Sequence, residues 1–156
     1  PRGKGVMPEW KTEFKSIEIG TGRKLRSGKD IAILSFGHVG NYAASVCTNM
    51  DKEGFHIGHY DLRFAKPLDH KLLHEVFENY DHIITVEDGC ITGGVGSAII
   101  EFMADHQYYT SIYRLGVPDE FIEHGPQLRL QADCGFDEKS IQNKVEEIKS
   151  KIKLAV

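Results

Sequence analysis

Apolar residues recur along this chain in two alternating rhythms. Ile31-Ala32-Ile33-Leu34-Ser35-Phe36 is a nearly unbroken apolar run closed by Gly37. Such a run reads as a strand buried on both faces. Val39, Tyr42, Ala43, Val46 and Met50 then fall at helical spacing over residues 39–52, with Gly54 as the stop signal. Phe55 to Phe64 is strand-like again. Pro67-Leu68-Asp69 opens a helix with Leu72, Leu73, Val76, Phe77 and Tyr80 on one face. His82 to Val86 predicts a strand. Gly93 to Met103 predicts a helix that starts on glycines and continues through Ala98, Ile99 and Phe102. Ser111 to Leu115 predicts a further strand, and residues 138–153 an amphipathic helix along Ile141, Val145, Ile148 and Ile152. Ahead of residue 30 the chain is polar and rich in Gly and Lys. There Ser16-Ile17-Glu18-Ile19-Gly20 alternates at period two and predicts a short strand, followed by a turn over 26–30.

Strands alternating with helices predict the α/β class: a three-layer domain whose mostly parallel sheet is covered on both faces. Right-handed crossovers then restrict the topology. Residues 1–15 read as a residual interdomain linker and 16–156 as one domain. Function in such sheets sits on loops at the carboxyl ends of strands, here residues 37–40, 63–69, 87–96 and 116–126.

Composition narrows the function classes. A chain of 156 residues can build one domain with a proper core. The net charge of −4 argues against a nucleic-acid partner, and no apolar run is long enough to span a membrane. The three cysteines, Cys47, Cys90 and Cys134, are widely spaced. They suit neither a disulfide scaffold nor a zinc site, and fit a reducing compartment. The chain opens on Pro1-Arg2-Gly3 without an initiator Met, as a piece of a longer polypeptide would.

The loops carry little self-contained chemistry. Glu87-Asp88-Gly89-Cys90-Ile91-Thr92-Gly93-Gly94-Val95-Gly96 has neither the P-loop order nor G-x-G-x-x-G. A tight strand-to-helix turn is favoured over a phosphate contact. Glu87 and Asp88 are neighbours that point apart on a strand end, so a solvated or interface role is expected rather than acid–base work. Cys90 reads as a small apolar residue, not a nucleophile. His70 and His74 have the i, i+4 spacing of metal ligands but lack the H-E-x-x-H glutamate, so a helix-surface pair is expected. His56 and His59 should face opposite ways. His38 and His124 lie on the loops, where capping and partner contacts are both open. Arg63 and Lys66 flank Phe64, and suit ion pairs with a neighbouring domain better than an anion site. No catalytic triad, paired catalytic carboxylates or nucleotide fingerprint is present.

Several strings in order go further. Pro1-Arg2-Gly3 resembles the end of an R-Y-P-R-G segment. Asp61-Leu62-Arg63-Phe64-Ala65-Lys66-Pro67-Leu68-Asp69 is similar to D-x-R-F-x-K-P-L-D. Glu87-Asp88-Gly89 with Gly93-Gly94-Val95-Gly96-Ser97-Ala98 is similar to E-[ED]-G-x-x-x-G-G-x-G-S-A, and Leu115-Gly116-Val117-Pro118-Asp119-Glu120-Phe121-Ile122-Glu123-His124-Gly125 to L-G-[LIV]-P-D-x-F-I-x-H-G. Together they resemble the last domain of transketolase-type thiamin-diphosphate enzymes, and within that group the deoxyxylulose phosphate synthases. The F-x-K-P and F-I-x-H-G strings favour these over transketolases and the beta subunits of oxoacid dehydrogenases, which stand as the first alternative. A free-standing, non-catalytic partner-binding module is the remaining alternative.

The resemblance implies a parent enzyme that joins pyruvate to glyceraldehyde 3-phosphate with loss of carbon dioxide, feeding isoprenoid, thiamin and pyridoxal synthesis. It implies thiamin diphosphate and magnesium in the parent, which is a homodimer, but neither group in this fragment, because the motifs that hold them are absent here. Arg2 alone matches a substrate-binding position, gripping the aldehyde's phosphate. The rest of the parent chain is the implied partner. Bacterial cytoplasm is the implied compartment, with a plastid parent as the alternative.

Overall fold

A computed structural model describes residues 15–154. Its elements are β1 (Arg23–Arg26), β2 (Ile31–Phe36), α1 (Gly40–Lys52), β3 (Gly58–Asp61), α2 (His70–Asn79), β4 (His82–Cys90), α3 (Val95–Asp105), β5 (Ser111–Val117), α4 (Gln127–Asp133) and α5 (Glu138–Leu154). The strands form one sheet in the order β1-β3-β2-β4-β5. Neighbours are parallel except for the edge pair β1 and β3. This is the expected three-layer α/β domain.

Period-two alternation in the central strands sorts the core into two halves. Ile31, Ile33, Ile84 and Val86 pack with Ala43, Val46, Cys47 and Met50 of α1 and with Ile141, Val145 and Ile148 of α5. Ala32, Leu34 and Ile83 point to the other face, against Leu72, Leu73, Val76 and Phe77 of α2 and Ile99 and Phe102 of α3. A strand covered on both sides is apolar at nearly every position, hence the near-unbroken runs, with buried Ser35 and Thr85 as exceptions.

Helix ends follow their local chemistry. Gly54 takes φ +73° and donates to Asp51, while Phe55 N–H donates to Met50. This is the left-handed stop that glycine permits. Asp69 caps α2: its Oδ1 accepts from Leu72 N–H at 2.9 Å, and Oδ2 accepts from Gly22 N–H at 2.8 Å. One carboxyl thus ties a helix start to the segment leading into β1. Asp69→Ala should lower stability by roughly 1–2 kcal/mol, as loss of such a cap does, and Asp69→Asn by less. Urea melts of the three proteins check this.

The strand expected at 16–20 does not form. Ile17 and Ile19 are exposed, so the alternation there has no core to meet. The edge strand is instead β1, four residues of which three are charged. Its side chains pair outward: Arg23 with Asp61 at 3.0 Å, Lys24 with Glu75 at 2.7 Å and Arg26 with Asp51 at 2.6 Å. Charged edges of this kind also discourage pairing with other chains. The strand expected over 55–64 is shorter, because residues 55–57 leave the cap of α1.

Candidate functional site

The sheet reverses its winding between β2 and β4. From β2 the chain crosses to β3 on one side, and the later strands lie on the other. In such sheets the carboxyl ends of the two strands flank a crevice where ligands bind. Here those ends present His38 and Glu87-Asp88. His38 Nδ1 lies 3.7 Å from Asp88 Oδ2, and His38 Nε2 lies 3.0 Å from the Gln131 amide nitrogen. Tyr42 donates its hydroxyl to Gln131 Oε1 at 2.9 Å. Gln131 is buried, held by partners on both sides. Beside this polar chain lies a cavity of about 310 Å³, lined by Asp88, Val117, Ile122, Leu130, Gln131 and Phe136 among others.

Glu87 is not solvated, the first of the two roles expected for it. Its side chain turns inward, 4% exposed, and closes the amino end of α3. Val95 N–H donates to Oε2 at 2.9 Å and Gly96 N–H to Oε1 at 2.8 Å. A carboxyl there meets both unpaired backbone donors and the positive end of the helix dipole. The rest of the turn is bonded internally as well. Ser97 Oγ donates to the Ile91 carbonyl at 2.9 Å and accepts from Gly93 N–H at 3.1 Å. Arg114 donates to both the Ile91 carbonyl and Ser97 Oγ. The anion that a glycine-opened helix attracts is already supplied by the chain. With Glu87 occupying these donors, the turn does not offer them to a diphosphate.

Other candidates lie around this crevice without joining its polar chain: Cys90 and Lys66 border a second cavity, of about 480 Å³, above the glycine turn, and His124 a shallow one beside Ile122 and Leu130. Cys90 is exposed at the end of β4, not an apolar filler, whereas Cys47 is buried and burial pushes its thiol up to about 11. Arg63 stands at φ +56°, with Nε 4.0 Å from Asp61 of its own chain. His74 bonds Tyr108 through Nδ1 at 2.7 Å and stacks edge-on near His106. Among the described residues no three His, Cys, Asp or Glu side chains are placed to hold a metal. His124 is exposed near Arg129 and Asp133. Arg2 and most of the expected linker, residues 1–14, lie outside the described residues.

Sequence reading missed one histidine–serine contact. His59 Nε2 lies 2.9 Å from Ser35 Oγ, and Asp61 is close enough to act on the imidazole. The trio resembles a hydrolase site in residue types alone. Ser35 and His59 are each 1% exposed, and Ser35 also bonds the Tyr60 carbonyl at 3.3 Å. No substrate reaches them. Burial lowers His59 to about 4, with Arg26 and Arg23 pushing the same way against Asp61.

A family model described as the transketolase C-terminal domain matches residues 20–141. The chain belongs to that family. A 1-deoxy-D-xylulose-5-phosphate synthase of Cytophaga hutchinsonii is 52% identical over 145 residues, covering 93% of this chain and 23% of the relative. The same-named protein of Porphyromonas gingivalis is 47% identical over 148 residues, covering 95% and 23%. The chain thus spans under a quarter of these curated relatives, in their C-terminal part. Among solved structures, one titled "split gene transketolase, inactive beta4 tetramer" superposes with a TM-score of 0.80 at 28% identity, over 90% of this chain and 46% of that one. A Campylobacter jejuni transketolase has a TM-score of 0.61 at 14% identity, over 82% and 18%, a likeness of fold. The family's C-terminal domain is thus recognisable both in sequence and in the shape of the sheet.

Proposed function

We propose that this chain is the C-terminal domain of a 1-deoxy-D-xylulose 5-phosphate synthase and that it makes no product alone. The observation that carries the reading is the 52% identity to one such synthase across 93% of the chain, against 28% to the split-gene transketolase. The parent joins pyruvate to glyceraldehyde 3-phosphate with release of carbon dioxide, in the cytoplasm, as a homodimer. Thiamin diphosphate supplies the carbanion chemistry, with magnesium, in parts of the parent outside this domain. Glu87 in the glycine turn supports that division of labour, because it fills the glycine-opened helix start that a diphosphate would seek. No helix among the described residues is long and apolar enough to cross a membrane. Residues 1–15 serve as the link from the preceding domain.

Arg2 is the residue through which the leading edge of this domain reaches the acceptor aldehyde. A guanidinium suits a phosphate because its planar fork donates two parallel hydrogen bonds. In the full-length enzyme, Arg2→Ala should lower kcat/KM for glyceraldehyde 3-phosphate roughly ten- to a hundred-fold, the loss of about 1.5–3 kcal/mol. Unphosphorylated glyceraldehyde should be almost unaffected, and Arg2→Lys should recover part of the loss. Equal weakening of both acceptors would remove Arg2 from the phosphate. Turnover by the 156-residue chain alone, given pyruvate, the aldehyde phosphate, thiamin diphosphate and magnesium, would overturn the wider reading.

A further inference from the structure

Beside the crevice the domain displays apolar groups that the described residues leave exposed. Phe121, Ile122 and Leu128 are 107%, 40% and 71% exposed. All residues from 119 to 129 are exposed, and the segment 118–126 belongs to no helix or strand. Its inner side is nonetheless seated: Ile122 and Leu130 wall the 310 Å³ cavity together with Val117 and Phe136. Phe121 stands outside that cavity and borders a shallow one of about 270 Å³ with Glu123, His124 and Arg129, its ring still fully exposed. A small ligand filling the first cavity would leave the phenyl ring in water. The ring is flanked in sequence by Asp119, Glu120 and Glu123, while the cation Arg129 is paired to Asp133 at 3.5 Å. The surface is therefore an apolar knob with an acidic rim.

We propose that residues 118–128 dock the remainder of the parent polypeptide, which receives Phe121 in an apolar socket bordered by Lys or Arg. The inference rests on the proposed parentage. Relatives extend far beyond this domain, which covers only 22–24% of them, so a large covering surface exists in the same polypeptide. A second copy of this domain fits poorly. A two-fold contact places the same patch on both sides, so the acidic rim of Asp119, Glu120 and Glu123 would meet another acidic rim. Hot-spot anchors of interfaces are commonly such aromatic side chains in a desolvated socket.

Hydrogen exchange read by mass spectrometry tests this on two proteins, the present chain and the full-length enzyme. Amides 119–129 should exchange fast in the chain alone and roughly ten-fold or more slower in the full-length enzyme, as for a segment that gains a cover. Phe121→Asp in the full-length enzyme should return them to the fast rate. The same substitution should leave the melting temperature of the isolated chain unchanged, since none of the described residues packs on the ring. Equal exchange in both proteins overturns the proposal, as does protection that survives Phe121→Asp. If the isolated chain instead sediments as a dimer that Phe121→Asp dissociates, the occupant is a second copy and the assignment falls. Deoxyxylulose phosphate formation by the full-length enzyme is read separately. Protection without turnover retains the docking and removes the proposed function, and turnover without protection does the reverse.

Discussion

Gly94→Val should lower stability by about 3–5 kcal/mol, enough to drop the melting temperature by roughly 10 °C or more in a chain of this size. The reason is space, not backbone conformation. Gly94 has φ −81°, which any residue adopts. A Cβ at this position would collide with the Cys90 carbonyl oxygen and with Glu87 Oε2. The first cannot retreat, because it is backbone at the end of a paired strand. The second can retreat only by releasing Val95 and Gly96 N–H, which leaves a buried carboxyl and helix donors without partners. The neighbour Gly93 is the internal control. It has φ +72°, and a Cβ there would meet nothing within 4 Å, so Gly93→Ala should cost only about 1 kcal/mol of conformational strain. Thermal melts of both variants read the contrast. Equal and small losses would show that the turn has room, and would restore it as a candidate ligand-binding loop.

Strands β2 and β4 were legible because burial on both faces writes itself into every residue, as in Ile31 to Leu34. Helices α1, α2 and α5 were legible because each buries one stripe. β1 was not, since Arg23 to Arg26 is held by backbone pairing to β3 and by ion pairs, neither of which leaves an apolar signature. Helix α4 was missed for a related reason. It has seven residues, and its one buried residue is Gln131, a polar side chain fixed by His38 and Tyr42 from another part of the chain.

The site was legible in its location and largely hidden in its bonds. Strand–helix alternation pointed to the loops at the carboxyl ends, and His38, Asp88 and the glycine turn do meet there. The cap supplied by Glu87 comes from eight and nine residues upstream of its donors, too far for any helix-start motif, which spans about three residues. Contacts between strands were less accessible still. Ser35 meets His59 only because β2 lies beside β3 in parallel register, a fact of topology rather than of local pattern.

That buried contact makes stability fall with acid in a defined window. His59 titrates near 4 in the folded domain against an ordinary value of 6.5, chiefly because burial disfavours the imidazolium. A base with a depressed folded pKa binds fewer protons folded than unfolded. Its contribution is therefore intact above 6.5, declines as pH falls, and is gone below about 4. The full loss is about 3 kcal/mol, of which about 2 kcal/mol should be seen between pH 7 and pH 5. Glu147, lowered to about 2 by Lys144 and Lys151, and Asp51, lowered by Arg26 and His56, lose their contributions mostly below about pH 5, as pH falls through the ordinary carboxylate range toward their folded values. Over pH 7 to pH 5 the difference between the native sequence and a His59 variant therefore reads this histidine. His59→Gln keeps a hydrogen-bonding group for Ser35 and removes the titration. Urea unfolding at pH 7 and pH 5 should show the decline in the native sequence and most of it missing in the variant. An equal decline in both would assign the acid sensitivity elsewhere and show that His59 accepts a proton inside the fold without penalty.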